Sequence, residues 1–141
     1  MYLLLSLGLL IADQYTKYLA RTHLAEGPLR LLGEQVQLSL HYNHGIAFSL
    51  PVPVWLSSAL SVLVIAVVVW QLWRRPYSAL YRVAGVLLLN GAVGNLLDRL
   101  IAGKVTDFIA VGGFPIFNLA DTWVSLAVLL YAVAEWQARQ R

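Results

Sequence analysis

Four apolar segments fill most of this chain, and each is close to the length that a membrane-spanning helix requires. They run from Met1 to about Ala20, from about Pro53 to Trp73, from about Leu80 to Leu97 and from about Leu119 to Trp136. A bilayer core takes roughly 20 apolar residues of helix, so a chain of 141 residues accommodates four spans and their connections. The expected fold is an all-α integral membrane protein with four transmembrane helices and a small extracytoplasmic β-hairpin or sheet. With 60% hydrophobic and 12% charged residues and a mean hydropathy of +0.70, a soluble domain is excluded. The first segment has no charged n-region and no small-x-small cleavage site, and it carries Asp13 and Lys17. It reads as a retained helix, not a signal peptide. No repeat or low-complexity tract interrupts the chain, so residues 1–141 read as a single four-helix transmembrane domain.

Charge placement gives an orientation. Arg74, Arg75 and Arg82 lie between the second and third segments with no acid among them, and Arg139 and Arg141 end the chain. The positive-inside rule puts both regions, and with them Met1, on the cytoplasmic side. Arg21, Arg30, Arg99 and Lys104 fall on the other side. Trp55, Trp70, Trp73, Trp123 and Trp136 sit near segment ends, as an aromatic belt places them. The net charge of +3 comes without a basic run, so it reads as topology and not as a nucleic-acid surface. There is no cysteine, which removes disulfides, thiolate nucleophiles and cysteine-ligated metals.

Segment 22–52 is too long for a plain turn. Leu29 to Leu32, then Gly33-Glu34, then the alternating run Gln35 to Tyr42 reads as a hairpin. One apolar face of it needs cover, from lipid, an extended peptide or the helix ends.

Against this background the ionisable residues stand out, because an Asp at a helix centre in lipid costs about 2.5–3.5 kcal/mol on the lowest scales. Asp13, Asp98, Asp107 and Asp121, of only 7 acids, lie in or beside apolar segments. Asp13 and Lys17 are four apart on one helix face and can pair, either near a headgroup layer or as support for a polar cavity. Asn95 and Asp98 also share a face, and Asp98 with Arg99 could form an interfacial ion pair. Asn43 to Ser49 follows the hairpin; Gly45 permits a tight backbone and Asn43 offers amide groups, while an ordinary turn would look the same. His44 receives no role. Asn118 suits an N-cap with Asp121 at N3, so capping alone could explain both. It would not explain Asp107. Two nearby carboxylates able to share a proton are the working part of an acid protease. Intramembrane carboxylates also serve small proton-coupled transporters or channel subunits, and four helices without a repeat make a poor alternating-access machine. A purely structural subunit would leave the polar clusters unexplained.

Five runs, Asp13 to Lys17, Asn43 to Ser49, Gly94 to Arg99, Val105 to Phe108 and Phe114 to Asp121, taken together and in order resemble the motif set of bacterial lipoprotein signal peptidase (signal peptidase II). The resemblance covers nearly the whole chain. It implies a four-helix aspartic endopeptidase of the bacterial cytoplasmic (inner) membrane, with both termini cytoplasmic and the active site near the outer face. The implied partners are a lipid-modified prolipoprotein substrate, cut before the lipidated cysteine, and membrane lipid; no cofactor or metal is implied. By the same resemblance Asp107 and Asp121 are the catalytic pair. Asn43, Asn95, Asp98, Arg99 and Asn118 line the substrate site, and Asp13, Lys17 and Gly45 support it. Residues 50–53 and 109–114 are shorter than in many relatives. With Asp121 at a helix N-terminus and Asp107 read as a loop residue beside Phe108 and Ile109, Asp121 is expected to be the more acidic member and the base.

Overall fold

The computed structural model describes residues 1–45, 52–74 and 78–140. Elements follow in the order α1 (Tyr2–His23), β1 (Leu29–Leu32), β2 (Val36–Asn43), α2 (Val54–Arg74), α3 (Ala79–Ala102), β3 (Val105–Val111) and α4 (Leu119–Arg139). The four apolar segments are therefore helices, and α1, α3 and α4 are longer by a few residues than the apolar runs themselves. Of these, α2, α3 and α4 are long and apolar enough to cross a membrane. The Ile46-Ala47-Phe48-Ser49 part of the second motif, residues 50–51, Arg75 and Arg141 lie outside the described residues.

Helix α1 is inside out relative to a helix in water. Its buried residues are Asp13, Lys17 and Ala20, while Leu3, Leu4, Ile11, Tyr15 and Tyr18 are exposed. A stripe at i, i+4 and i+7 is one helix face, and here that face is mostly polar. Such burial is favoured only where the surrounding solvent is hydrocarbon and polar groups find partners within the bundle.

Helix α3 packs against α1, α2 and α4. Small residues on its buried face let its neighbours approach. An added Cβ at Gly91 would lie 2.5 Å from the Ala120 carbonyl oxygen of α4, and one at Gly94 would lie 2.5 Å from Asp13 Oδ2 of α1. Helix α4 answers with Ala120, Ala127 and Ala134, buried at seven-residue spacing.

The three strands form one antiparallel sheet in the order β1-β2-β3. The expected hairpin is β1 and β2, turning at Gly33 with φ of 59°. The third strand corrects the reading of Asp107 as a loop residue: Asp107 lies in β3, opposite His41 of β2. Helix α3 stops at Gly103, in the left-handed conformation, and the β-branched and aromatic run Val105 to Val111 then pairs with β2. The sheet sits on the end of α1, where Phe108 packs with Ala20 and Leu24, and Leu38, Leu40, Ile109 and Leu119 close around them. Phe117 bonds back to Ile109, so the chain enters α4 from alongside β3. The sheet thereby brings the residue after α3 and the first turn of α4 to one place.

The close contact at Gly94 yields a direct check. Gly94→Ala pushes a methyl into a carboxylate that cannot move, and overpacking of this kind costs about 1–3 kcal/mol. Gly8 has nothing within 4 Å of an added Cβ, so Gly8→Ala is neutral or slightly stabilising by helix propensity, on the order of 0.5–1 kcal/mol. Thermal unfolding in detergent should separate the two variants; equal stability would mean that α1 and α3 are not this close.

Candidate active site

The site is built outward from Lys17, a lysine with no exposed side-chain surface. Its ammonium has three acceptors: Asp13 Oδ2 at 2.9 Å, Asp98 Oδ2 at 3.5 Å and Asn95 Oδ1 at 3.0 Å. Each carboxylate in this cluster has further donors. Asp13 Oδ1 accepts from the Ala120 N–H in the first turn of α4 at 2.9 Å. Asp98 Oδ2 accepts from the Thr106 N–H of β3 at 2.9 Å. Gln14 Nε2 donates to Asp13 Oδ2 at 3.1 Å, to Asp98 Oδ1 at 3.3 Å and to the Gly94 carbonyl at 3.2 Å. One buried cluster thus fixes α1, α3, β3 and the start of α4 relative to each other.

Three asparagines carry this order to the two remaining carboxylates. An amide group has one accepting end and one donating end, and here an obligatory donor occupies each accepting end. Asn95 Oδ1 accepts from Lys17, so its Nδ2 faces Asp121 and donates to Oδ1 at 2.8 Å. Asn118 Oδ1 accepts from the Asp121 N–H at 3.0 Å, so its Nδ2 donates to Asp107 Oδ1 at 2.7 Å and to Asn95 Oδ1 at 3.1 Å. Asn43 Oδ1 accepts from the Gly45 N–H at 2.8 Å, and its side chain also hydrogen-bonds Asp107. The amide orientations follow from the donors and not from choice.

Asn118 is the N-cap of α4 and Asp121 its N3 residue, and they form a full capping box. Asp121 Oδ2 accepts from the Asn118 N–H at 3.3 Å. Capping is therefore present, and it leaves Asp121 Oδ1 to Asn95. Asp107, 1% exposed, lies outside the helices. Burial first, and then the neighbouring Asp121 charge, pushes its carboxyl up to about 7, against the opposing hydrogen bonds from Asn43 and Asn118.

Asp107, Asp121 and Asn43 line one half-open cavity of about 400 Å³, whose other lining residues are Phe114, Pro115, Ile116, Phe117, Thr122, Val124 and Ser125. The hydroxyls of Thr122 and Ser125 are bonded to the Asn118 and Asp121 carbonyls of their own helix, so the walls away from the carboxylates are apolar. Such a space presents two carboxylates to a small polar group while an apolar chain fills the rest.

The residues singled out from the sequence divide into layers. Asn95 and Asn118 touch the carboxylates from behind. Asp98 is held by Lys17, Gln14 and Thr106 and is not among the cavity-lining residues. Its ion-pair partner is Lys17, and not Arg99 as in the alternative of a simple interfacial pair. Arg99 instead donates to the Gly45 carbonyl at 3.3 Å and to Ser61 Oγ of α2 at 3.4 Å, tying α2 and the turn after β2 to α3. Gly45 is buried in that turn. His44 is exposed. Gln14 and the apolar wall at 114–117 were given no part by sequence reasoning. Gln14 carried a signal, being a long polar side chain next to Asp13 and three residues from Lys17.

Comparison with known proteins agrees with this geometry. The family model described as signal peptidase (SPase) II matches residues 5–137. The chain is 35% identical to a lipoprotein signal peptidase from Hydrogenovibrio crunogenus, with 97% of this chain and 86% of that one covered. A lipoprotein signal peptidase from Dichelobacter nodosus is 33% identical, over 98% of this chain and 95% of its own. Among solved structures, a bacterial membrane enzyme determined by the in meso method superposes with a TM-score of 0.90 at 29% identity, covering 96% of this chain and 87% of that one. A second such enzyme gives 0.85 at 28% identity, covering 94% and 90%. A paired-carboxylate cavity at the edge of an apolar bundle, and a match along almost the full chain, together place this protein in the signal peptidase II family of aspartic peptidases.

Proposed function

We propose that this protein removes signal peptides from diacylglyceryl-modified lipoprotein precursors, cutting before the lipidated cysteine, with Asp107 and Asp121 as the catalytic pair. The observation that carries the reading is that both carboxylates line one cavity, each held by an asparagine whose other end is fixed. In this reading residues 1–141 form one domain with four spans, α1 included, in the bacterial cytoplasmic membrane. Both termini are cytoplasmic, and the sheet and cavity lie at the outer face. The arginines between α2 and α3 and at the C-terminus support that orientation.

The mechanism follows from charge. Two carboxylates on one cavity share a proton, because ionising both is costly. Asp121 has the Asn95 amide, the Asn118 N–H and the first turn of α4 to hold negative charge. Asp107 has side-chain amides only among its hydrogen bonds above, and burial holds its proton. Asp121 therefore takes a proton from water as the oxygen attacks the scissile carbonyl. Asp107 donates to the carbonyl oxygen as negative charge develops there. Collapse of the tetrahedral species breaks the C–N bond, and the amine leaves with a proton passed through Asp121. Asn43, Asn95 and Asn118 keep both carboxylates in place. The apolar walls suit the lipid-bearing part of the substrate, where each buried methylene adds about 0.8 kcal/mol.

Four outcomes are expected, the first two on substrate cleavage. Asp107→Asn and Asp121→Asn should each fold and lose at least about a hundredfold in cleavage rate; substantial turnover by either, measured on a lipidated precursor, removes that residue from the dyad. An unmodified precursor run alongside should be cleaved at least about tenfold less efficiently, given the methylenes it lacks, and equal rates would exclude a lipid requirement.

The third outcome concerns pH. The active form needs Asp107 protonated, so the rate should fall above about pH 7, by a factor approaching ten per unit for loss of one proton. A rate that stays flat through this range contradicts the assignment. The fourth is linked to it. A carboxyl whose folded pKa is raised binds its proton more tightly folded than unfolded, so it lowers stability as pH rises from its ordinary value of 3.8 to about 7. Asp107→Asn removes that penalty. Its unfolding temperature should exceed that of the wild type at neutral pH, with the gap closing on acidification; a gap independent of pH would show that Asp107 titrates normally.

A further inference from the structure

Two cations beside the sheet are held in place by neutral groups. Arg21, in the last turn of α1, donates from Nη1 to Thr106 Oγ1 of β3 at 3.0 Å. Lys104, between α3 and β3, sets its ammonium over the Tyr42 ring of β2, 3.5 Å from the centroid. Tyr42 is the cross-strand partner of Thr106, and such partners stand side by side on one face, about 4.5–5.5 Å apart at Cβ. That is the face on which Phe108 packs with Ala20 and Leu24. Asp107 is on the other, because neighbouring residues of a strand point to opposite faces. The two cations therefore share a place of their own, apart from the carboxylate cavity. Neither charge is neutralised there. Of seven acids, Asp13 and Asp98 pair with Lys17, Glu34 with Arg30 and Glu135 with Arg139. Among the described residues no carboxylate is within 4.0 Å of Arg21 or Lys104.

We propose that Arg21 and Lys104 form a binding site for the phosphate diester of an anionic phospholipid headgroup. The first argument is chemical. A guanidinium has five N–H donors and an ammonium three. Thr106 takes one of them, and the Tyr42 ring meets the ammonium with a π face and not a lone pair. Both positions are thus fixed while most of the donors and all of the charge stay unspent. A phosphate diester supplies one negative charge and the oxygen acceptors that such donors match. The second argument is place. Arg21 is exposed and Lys104 half-buried, and both stand at helix ends, α3 being long and apolar enough to cross a membrane. Tyr18, one turn before Arg21, is 54% exposed, and Leu100 and Ile101, in the last turn of α3, are 70% and 80% exposed. Acyl chains below a headgroup at the cations meet this apolar surface, which free phosphate would leave unused. Cationic side chains at this depth are also where an anionic leaflet attracts them. On the orientation proposed above, the lipid belongs to the outer leaflet; the site itself does not depend on which bond the protein cleaves.

The test titrates the full chain in a neutral detergent with dioleoylphosphatidylglycerol, and separately with dioleoylphosphatidylcholine, whose phosphate is already balanced by choline. Native mass spectrometry gives the dissociation constant of the first lipid adduct. The wild type should bind phosphatidylglycerol more tightly than phosphatidylcholine. Arg21→Gln/Lys104→Gln should weaken the phosphatidylglycerol adduct about thirtyfold, and Lys104→Gln alone about fivefold. The single variant leaves the Arg21–Thr106 hydrogen bond in place, so its result stands even if the double variant folds poorly. Arg21→Lys/Lys104→Arg keeps both charges and should bind within about threefold of the wild type. Arg30→Gln, which removes a cation paired to Glu34, and Arg139→Gln, which removes one paired to Glu135, should change nothing. No preference for phosphatidylglycerol, or an equal loss in Arg30→Gln or Arg139→Gln, would mean diffuse attraction to the basic chain, and the site is withdrawn. Inorganic phosphate is the last arm. If it displaces phosphatidylglycerol at equal concentration, the cations hold a free anion and the lipid assignment fails; if it does not, the acyl chains contribute as proposed.

Discussion

The buried charge of Lys17 is the constraint on which the rest depends. An ammonium with no solvent must be matched on every side, and three acceptors from two helices do so. Two of them, Asp13 and Asp98, use their remaining lone pairs on the Ala120 N–H of α4 and the Thr106 N–H of β3. Satisfying one lysine therefore sets where α4 begins and where β3 leaves α3. These two positions hold the carboxylates, Asp121 three residues beyond the N-cap and Asp107 one residue beyond Thr106. Removing Lys17 would leave two buried carboxylates uncompensated, a loss on the order of 3–5 kcal/mol for a buried pair.

The third acceptor of Lys17, Asn95, joins the structural cluster to the chemistry. Asparagine suits this relay because it accepts at one end and donates at the other without titrating. Asn43, Asn95 and Asn118 all have the accepting end filled by a group that can only donate, a backbone N–H or an ammonium. Each presents its NH₂ group to a carboxylate, which holds the proposed catalytic pair in place in a site with few charges to spare. An aspartate in place of any of the three would bring a third negative charge to the pair. The bundle has the opposite polarity to a soluble one, with Leu, Ile, Val and Trp turned outward and Asp, Lys and Asn turned in. That arrangement is stable only if the polar interior is closed on itself, and the hydrogen bonds around Lys17 close it.

Much of this was legible in the sequence because lipid makes polar residues conspicuous. The four apolar segments marked the helices, and the i, i+4 spacing of Asp13 and Lys17 marked the pair. The Asn118-to-Asp121 spacing gave the capping box, and the alternation from Gln35 to Tyr42 gave the hairpin. The strand containing Asp107 was missed because its residues are buried on both faces, so Val105 to Val111 shows no clean alternation, and its partner strand lies more than sixty residues earlier in the chain. The partner of Asp98 was missed for a related reason. Arg99 is its neighbour in sequence, but consecutive residues on a helix point in different directions, and Lys17 on another helix faces it. Local spacing reveals which residues share a face; it does not reveal which faces meet.

The proposed pair is asymmetric: burial pushes the Asp107 carboxyl up to about 7, which makes it the member proposed to hold a proton as neutrality is approached. Isotope-edited infrared spectroscopy of the ¹³C-aspartate-labelled protein in lipid measures this directly. The expected result is a protonated-carboxyl C=O band that disappears on titration through about pH 7 and is absent from Asp107→Asn. A band that survives Asp107→Asn and vanishes in Asp121→Asn, or no protonated carboxyl near neutral pH in the wild type, would contradict it.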